Sequence, residues 1–231
     1  MANLNECFIA VYTHECKQYC DVEFFDNLFK SHIGDAQISI IDNTLTLNYY
    51  DRLQNIVNLY DNKNISVSHV DVSRDDARDA RHQFLINVTT SLTELRRQFL
   101  ETDKKYFIIV ESDVKPRDKN WLTYFMEVVD QADIIGGLYY VGFHKQELWD
   151  TESLVYLPGI LSGCTLYKRE VIEKFPFRWS IENHGAFCDA WICYDCNIDN
   201  MGTGQWRLGN YTKIKCDHLH INGNRGLDKI N

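Results

Sequence analysis

Short runs of apolar residues alternate along the chain with stretches whose apolar positions recur every three or four residues. Residues 7–12, 37–41, 65–70 and 106–110 have the length and β-branched character of strands. Between them, Val22, Phe25 and Phe29 mark one helical face; Tyr49, Leu53, Ile56 and Tyr60 mark a second. Leu85, Val88, Leu92, Leu95 and Phe99 mark a third, and a fourth helix is predicted from Trp121 through Phe125 to Val129. Further strands are predicted over 133–140 and 164–168. Alternation of helices with almost wholly apolar strands predicts an α/β fold: a mainly parallel central sheet with helices on both faces. Residues 141–160 have no clear period and are expected to form a binding loop on the acceptor side.

Three prolines, twelve glycines and no low-complexity linker predict one continuous domain over residues 1–231. Hydrophobic content of 45% and charged content of 25% are those of an ordinary globular protein. No apolar run approaches the roughly 18 residues of a membrane span. The first residues lack the basic start and apolar centre of a signal peptide. A cytoplasmic location is the resulting expectation, with a viral or bacterial origin equally compatible. The net charge of -9 argues against sequence-independent nucleic-acid binding, which needs cations to displace counterions. A DNA partner is therefore not favoured, although Arg74, Arg78, Arg81, Arg96 and Arg97 leave room for a local positive face.

Eight scattered cysteines are expected to be reduced and mostly buried. Cys193-x-x-Cys196 with Cys216-x-His218 offers an alternative: a zinc-stabilised binding protein.

Acidic residues collect where the strands end. Asp42, Asp71, Glu111 and Asp113 each follow a predicted strand, and ligands of open parallel sheets bind beyond those ends. Asp42 or Asp71 alone reads equally well as a turn residue. Glu111-Ser112-Asp113 is more pointed, since two acids one residue apart can face a single hard cation that also holds substrate phosphates.

The segment from Tyr106 through Glu111-Ser-Asp113 to Trp121-Leu122 resembles the metal-binding strand end of GT-A-fold glycosyltransferases of the family 2 type, with Glu111 where the family has Asp. Residues 38–43, ending in Asp42-Asn43, are similar to the strand whose Asp meets the nucleotide. Ala80-Arg81-His82 resembles the Ala-Arg-Asn element that follows the third strand, with His82 in the Asn place. Residues 163–169 resemble the strand into the acceptor half, and Phe187-Cys-Asp189-Ala-Trp the helix start that supplies the catalytic base. Residues 213–218 resemble the late strand whose His completes the metal site.

The resemblance implies a nucleotide-sugar-binding half over 1–115 and an acceptor and catalytic half over 116–231. It implies a metal-dependent hexosyl- or pentosyltransferase that moves a sugar from a nucleotide-sugar, a UDP-sugar first, to an acceptor hydroxyl with inversion. The acceptor class is open and includes glycans, small molecules and a modified base in viral DNA. Thr13, Asp42, Asp71, Arg81 and Ser112 are the expected donor contacts. Glu111, Asp113 and either His218 or His220, which share a strand face, are the expected ligands of Mn2+ or Mg2+. Asp189, in an apolar setting that strengthens a carboxylate base, is the expected general base, with Glu182 as second candidate. An Asp at a helix start is also a common cap, so that structural role stays open for Asp189. A nucleotidyltransferase would use the same sheet edge, but residues 12–17 lack the glycines of its phosphate loop.

Overall fold

The first strand, β1 (Cys7–Thr13), shows how the sequence builds the fold. Successive side chains of a strand face opposite sides, so Cys7, Ile9 and Val11 enter one core and Phe8 and Ala10 the other. A strand buried on both faces needs layers on both sides of the sheet. The computed structural model of the chain describes residues 3–60, 64–72, 80–139, 151–180 and 187–219.

The strands that follow β1 are β2 (Gln37–Asp42), β3 (Ile65–His69), β4 (Tyr106–Val110), β5 (Val114–Pro116), β6 (Ile134–Tyr139), β7 (Leu154–Tyr156), β8 (Cys164–Lys168) and β9 (Leu208–His218). They form one nine-stranded sheet in the order β3-β2-β1-β4-β8-β6-β9-β5, with β7 paired to β9. The helices are α1 (Asp21–Phe29), α2 (Leu47–Val57), α3 (Ala80–Leu100), α4 (Trp121–Val128), α5 (Arg169–Lys174) and α6 (Cys188–Thr203).

Phe24 and Phe25 of α1, Tyr49 and Leu53 of α2, and Trp121 and Phe125 of α4 fill the core on one face. Leu92, Leu95 and Phe99 of α3, Ile172 of α5 and Ile192 of α6 fill the other. Phe8, Phe99 and Phe107 meet there with ring centroids 5.3–5.9 Å apart. Each such buried ring contributes roughly 1.5–3 kcal/mol relative to exposure.

Two features of this layout position the site. Strands β3, β2, β1 and β4 are mutually parallel, so their C-terminal ends open onto one edge. Beyond them the sheet changes direction. β8 runs antiparallel to both β4 and β6, and β9 returns to pair with β6 and β5. The β6–β9 pairing shifts register between Gly136 and Leu138. A Cβ at Gly136 would collide with the Asn210 side chain and Ile160, so β9 can lie this close only because position 136 has no side chain.

The expected strands and helices are present with ends displaced by one to a few residues. The short β5 and β7, helix α5 and the first half of β9 had no signal in the periodicity. Of the expected acceptor loop, residues 141–150 lie outside the described residues, and 151–160 contain β7 and the run into Ile160.

Candidate active site

The C-terminal ends of β1, β2 and β4 and the start of α3 surround a cleft of about 550 Å3. Its lining includes Tyr12, Thr13, Lys17, Asn43, Glu111, Ser112 and Asp113, with Gln83, Phe84 and Asn87 from α3. Parallel strands put their last residues on one side, and the apolar interior of each strand gives way there to polar groups.

Asp113 is set by the turn after β4. Glu111 N donates to Gly163 O (2.9 Å) and Val114 N to Glu111 O (2.9 Å), closing a tight turn before β5. β5 then pairs with the end of β9 in a register that places Val114 opposite His218, and Leu219 N donates to Asp113 O at 2.7 Å. The late strand is thereby tied to the acid, and His218 Nε2 lies 3.5 Å from Asp113 Oδ2. The same oxygen pairs with Lys17 Nζ. Asp113 is only 3% exposed, and its Oδ1 is buried with no hydrogen-bond partner among the described residues. A buried carboxylate oxygen without a donor is costly to maintain.

Glu111 faces different company. Tyr12 OH donates to its Oε1 at 2.5 Å, and Ser162 Oγ donates to the same atom at 3.1 Å. Ser162 also gives its backbone N–H to Asp189 Oδ2 (3.1 Å), while Asp189 Oδ1 accepts from Ala190 N at 2.7 Å. Ser162 therefore bridges the two carboxylates. Burial pushes both above the ordinary carboxylate range, and for Glu111 the nearby Asp189 charge acts in the same direction. Burial first, then the Glu111 charge, also hold the Tyr12 phenol well above its usual value. Asp189 stands in the first turn of α6, where a negative charge suits the helix dipole. It is not the cap, since Phe187 occupies that position without a side-chain cap bond.

The expected donor contacts divide. Thr13 and Ser112 line the cleft, and Thr13 Oγ1 lies 3.0 Å from Tyr49 OH. Asp42 is completely buried, with Oδ1 taken by Thr44 and Oδ2 by His69 Nδ1 at 2.9 Å; its neighbour Asn43 lines the cleft. Asp71 is exposed beside His69 Nε2 (3.3 Å) and is not part of the lining. Arg81 is exposed on the first turn of α3, outside the lining, and His82 packs edge-on against Trp179 with centroids 4.6 Å apart. Glu182 and His220 lie outside the described residues.

Among the described residues no group of three or more His, Cys, Asp or Glu is placed to hold a metal. Of the expected ligands, Asp113 and His218 lie together, Glu111 accepts from Tyr12 and Ser162 on Oε1, and His220 lies outside the described residues. Two expectations need correction. The zinc alternative does not assemble: Cys193 and Cys196 pack in the core on the α6 side, and Cys216 in the opposite core. A local positive face gains nothing from Arg96 or Arg97. Arg96 donates to the carbonyls of Ile172 and Glu173, and Arg97 is paired with Glu94 and Glu101; Arg74 and Arg78 lie outside the described residues.

No protein-family model matches the chain, and no curated protein matches it in sequence. Solved structures do. The mannosyltransferase PcManGT from Pyrobaculum calidifontis, in complex with GDP-Man and Mn2+, superposes with a TM-score of 0.63 at 14% identity, covering 93% of this chain and 57% of its own. S. aureus TarS (1-349) gives 0.61 at 12% identity, covering 90% and 58%; its complex with UDP-GlcNAc gives 0.58 at 11%, covering 91% and 57%. The chain has the GT-A fold. At these identities the likeness concerns the fold, and the chain spans somewhat more than half the length of the structures it matches. The strand-end cleft described above lies on the parallel half of that GT-A sheet, and Asp189 joins it from the antiparallel half through Ser162 and Glu111. No described helix is long and apolar enough to cross a membrane.

Residues that the sequence left unmarked are Tyr12, Lys17 and Ser162. Tyr12 lies inside β1, Lys17 a few residues past its end and Ser162 two residues before β8, and no local pattern in the sequence singles them out.

Proposed function

We propose that this chain is a glycosyltransferase that moves a sugar from a nucleotide-sugar to an acceptor hydroxyl with the help of a divalent cation. The observation that carries the reading is Asp113: a buried carboxylate with one oxygen unpartnered among the described residues, beside His218, on the rim of a large strand-end cleft. A carboxylate oxygen suits Mn2+ or Mg2+, which complete their shell with substrate phosphates and water, and the imidazole nitrogen beside it favours Mn2+. Asp113 and His218 fit that role as a pair. When bound, the cation would offset the charge that develops on the departing diphosphate.

The fold neighbours were solved with GDP-Man and Mn2+ and with UDP-GlcNAc, which supports a nucleotide-sugar as donor class. A UDP-sugar is our first choice. Thr13, Asn43 and Ser112 face the cleft and contact the donor in this reading. Asp42 acts one step back, fixing the turn that presents Asn43 through its bonds to Thr44.

Asp189 is the proposed general base. It accepts the proton of the acceptor hydroxyl on a carboxylate oxygen as the acceptor oxygen bonds to the anomeric carbon and the bond to the diphosphate breaks, giving inversion. Burial raises the affinity of Asp189 for that proton, which suits a base. Tyr12 and Ser162 keep Glu111 in place next to it. The residues 1–115 and 116–231 divide donor from acceptor functions, except that His218 joins Asp113, and Ser162 links Asp189 to Glu111, across the boundary.

Thermal shift with UDP-, GDP- and CMP-sugars, with and without Mn2+, tests the reading. A UDP-sugar with Mn2+ is expected to raise the melting temperature, because a ligand of the native state stabilises it. Asp113→Ala is expected to abolish the Mn2+-dependent part. An unchanged response in that variant rejects the metal assignment.

A further inference from the structure

The strongest unassigned feature is Lys17. It ends a 3-10 turn (Glu15–Lys17) immediately after β1, where its N–H donates to His14 O at 2.8 Å and its carbonyl accepts from Cys20 N at 3.0 Å and Cys20 Sγ at 3.3 Å. The backbone is thus fixed while the long stem reaches into the cleft, and Nζ pairs with Asp113 Oδ2. The Asp113 side chain is 4% exposed and that of Lys17 26% exposed. The ammonium supplies the countercharge that a buried carboxylate needs, from a position that still touches solvent.

Resting on the donor and metal reading above, we propose that Lys17 exchanges partners: it neutralises Asp113 while no cation is bound, and contacts the donor's diphosphate once a divalent cation takes the carboxylate. A divalent cation and an ammonium cannot both occupy the space beside one carboxylate oxygen without strong like-charge repulsion. Displaced from Asp113, Nζ has the cleft beside it, lined by Thr13 and Asn43, and a diphosphate arriving there carries the opposite charge. Lysine suits such an exchange, being a compact point charge on a flexible stem. Lys17 therefore opposes cation binding to the empty protein and favours nucleotide binding to the cation-loaded one. Cation and donor bind together more readily than the cation alone.

Two affinities of Lys17→Met and the unaltered protein decide this: Mn2+ alone, from the loss of the free-ion electron paramagnetic resonance signal, and UDP at saturating Mn2+, by calorimetry. The variant is expected to bind Mn2+ roughly tenfold more tightly and UDP roughly tenfold more weakly. Lys17→Gln, uncharged but polar, is expected to give the same two signs and serves where methionine perturbs the melting curve. Equal or weaker Mn2+ binding by the neutral variants overturns the exchange, as does unchanged UDP affinity. Failure of both the unaltered protein and the neutral variants to take up Mn2+, with UDP present as well as without it, is a separate result, and it rejects the metal reading itself.

Discussion

Glu111 and Asp113 stand two positions apart on one turn, but their carboxylates have opposite surroundings. Glu111 is held by Tyr12 and Ser162 and shares Ser162 with Asp189. Asp113 has one oxygen on Lys17 and the other buried without a partner among the described residues. The cause is local. The turn closed by Val114 N and Glu111 O sends Asp113 toward β9 and His218, and Glu111 toward β1 and the start of β8. Acid-x-acid spacing thus brings two carboxylates to one place and gives them different partners. In the proposed reading, one region changes partners and the other keeps the base, Asp189, fixed and dry.

Substitutions in the fixed region should separate from those in the exchangeable one. The largest effect is expected from Asp189→Asn: transfer falls about 10²–10⁴-fold while Mn2+-dependent stabilisation by a UDP-sugar persists. Loss of donor binding together with turnover would place Asp189 in the donor site and erase the contrast. Tyr12→Phe removes a buried donor to Glu111 and should cost about 1–2 kcal/mol in a urea or thermal melt, with Mn2+ uptake unchanged. A change in Mn2+ affinity there would put Glu111 among the ligands after all. Ser162→Ala keeps the backbone N–H to Asp189 and loses only the hydroxyl. A cost of about 1 kcal/mol in stability is expected, with a lowered kcat and an unchanged KM for the donor.

A smaller effect lies in the pH dependence of stability. The folded-state pKa of Asp189 is raised by burial. The native state therefore holds the proton more tightly than the unfolded chain. Its contribution is fully present below the unfolded value of about 3.9 and is lost as pH rises through the raised folded value. Asp189→Asn removes that decline for this group, so its melting temperature should gain on that of the unaltered protein as pH rises above about 4. Parallel curves over that range would mean that the Asp189 carboxylate is not desolvated.

The parallel half of the fold was legible because its strands are buried on both faces and its helices carry regular apolar stripes: 7–12 and 37–41, with Leu85, Leu92 and Phe99 between later elements, leave little choice of architecture. The antiparallel half was less legible. β5 and β7 are three residues each, too short for a period, and their existence depends on β9, which is distant in sequence. Of the proposed site, Asp113 was marked by its place after a strand, and His218 and Asp189 by the resemblance of their segments to GT-A glycosyltransferases. What could not be read was which side each neighbour faces. Glu111 turns away from the Asp113–His218 pair because of a turn bond and a tyrosine on another strand. Asp42 spends both oxygens on Thr44 and His69. Lys17, after β1, reaches Asp113, after the neighbouring strand β4, although the two are 96 residues apart in sequence. Each outcome depends on tertiary neighbours that no local pattern specifies.

The most direct test of the central claim is a crystal structure with Mn2+ and UDP, using the anomalous signal of manganese. The account requires the peak at coordination distance from Asp113 and the diphosphate, with Tyr12 and Ser162 still on Glu111. A peak at another site, or nucleotide bound at the strand ends with none, would contradict it.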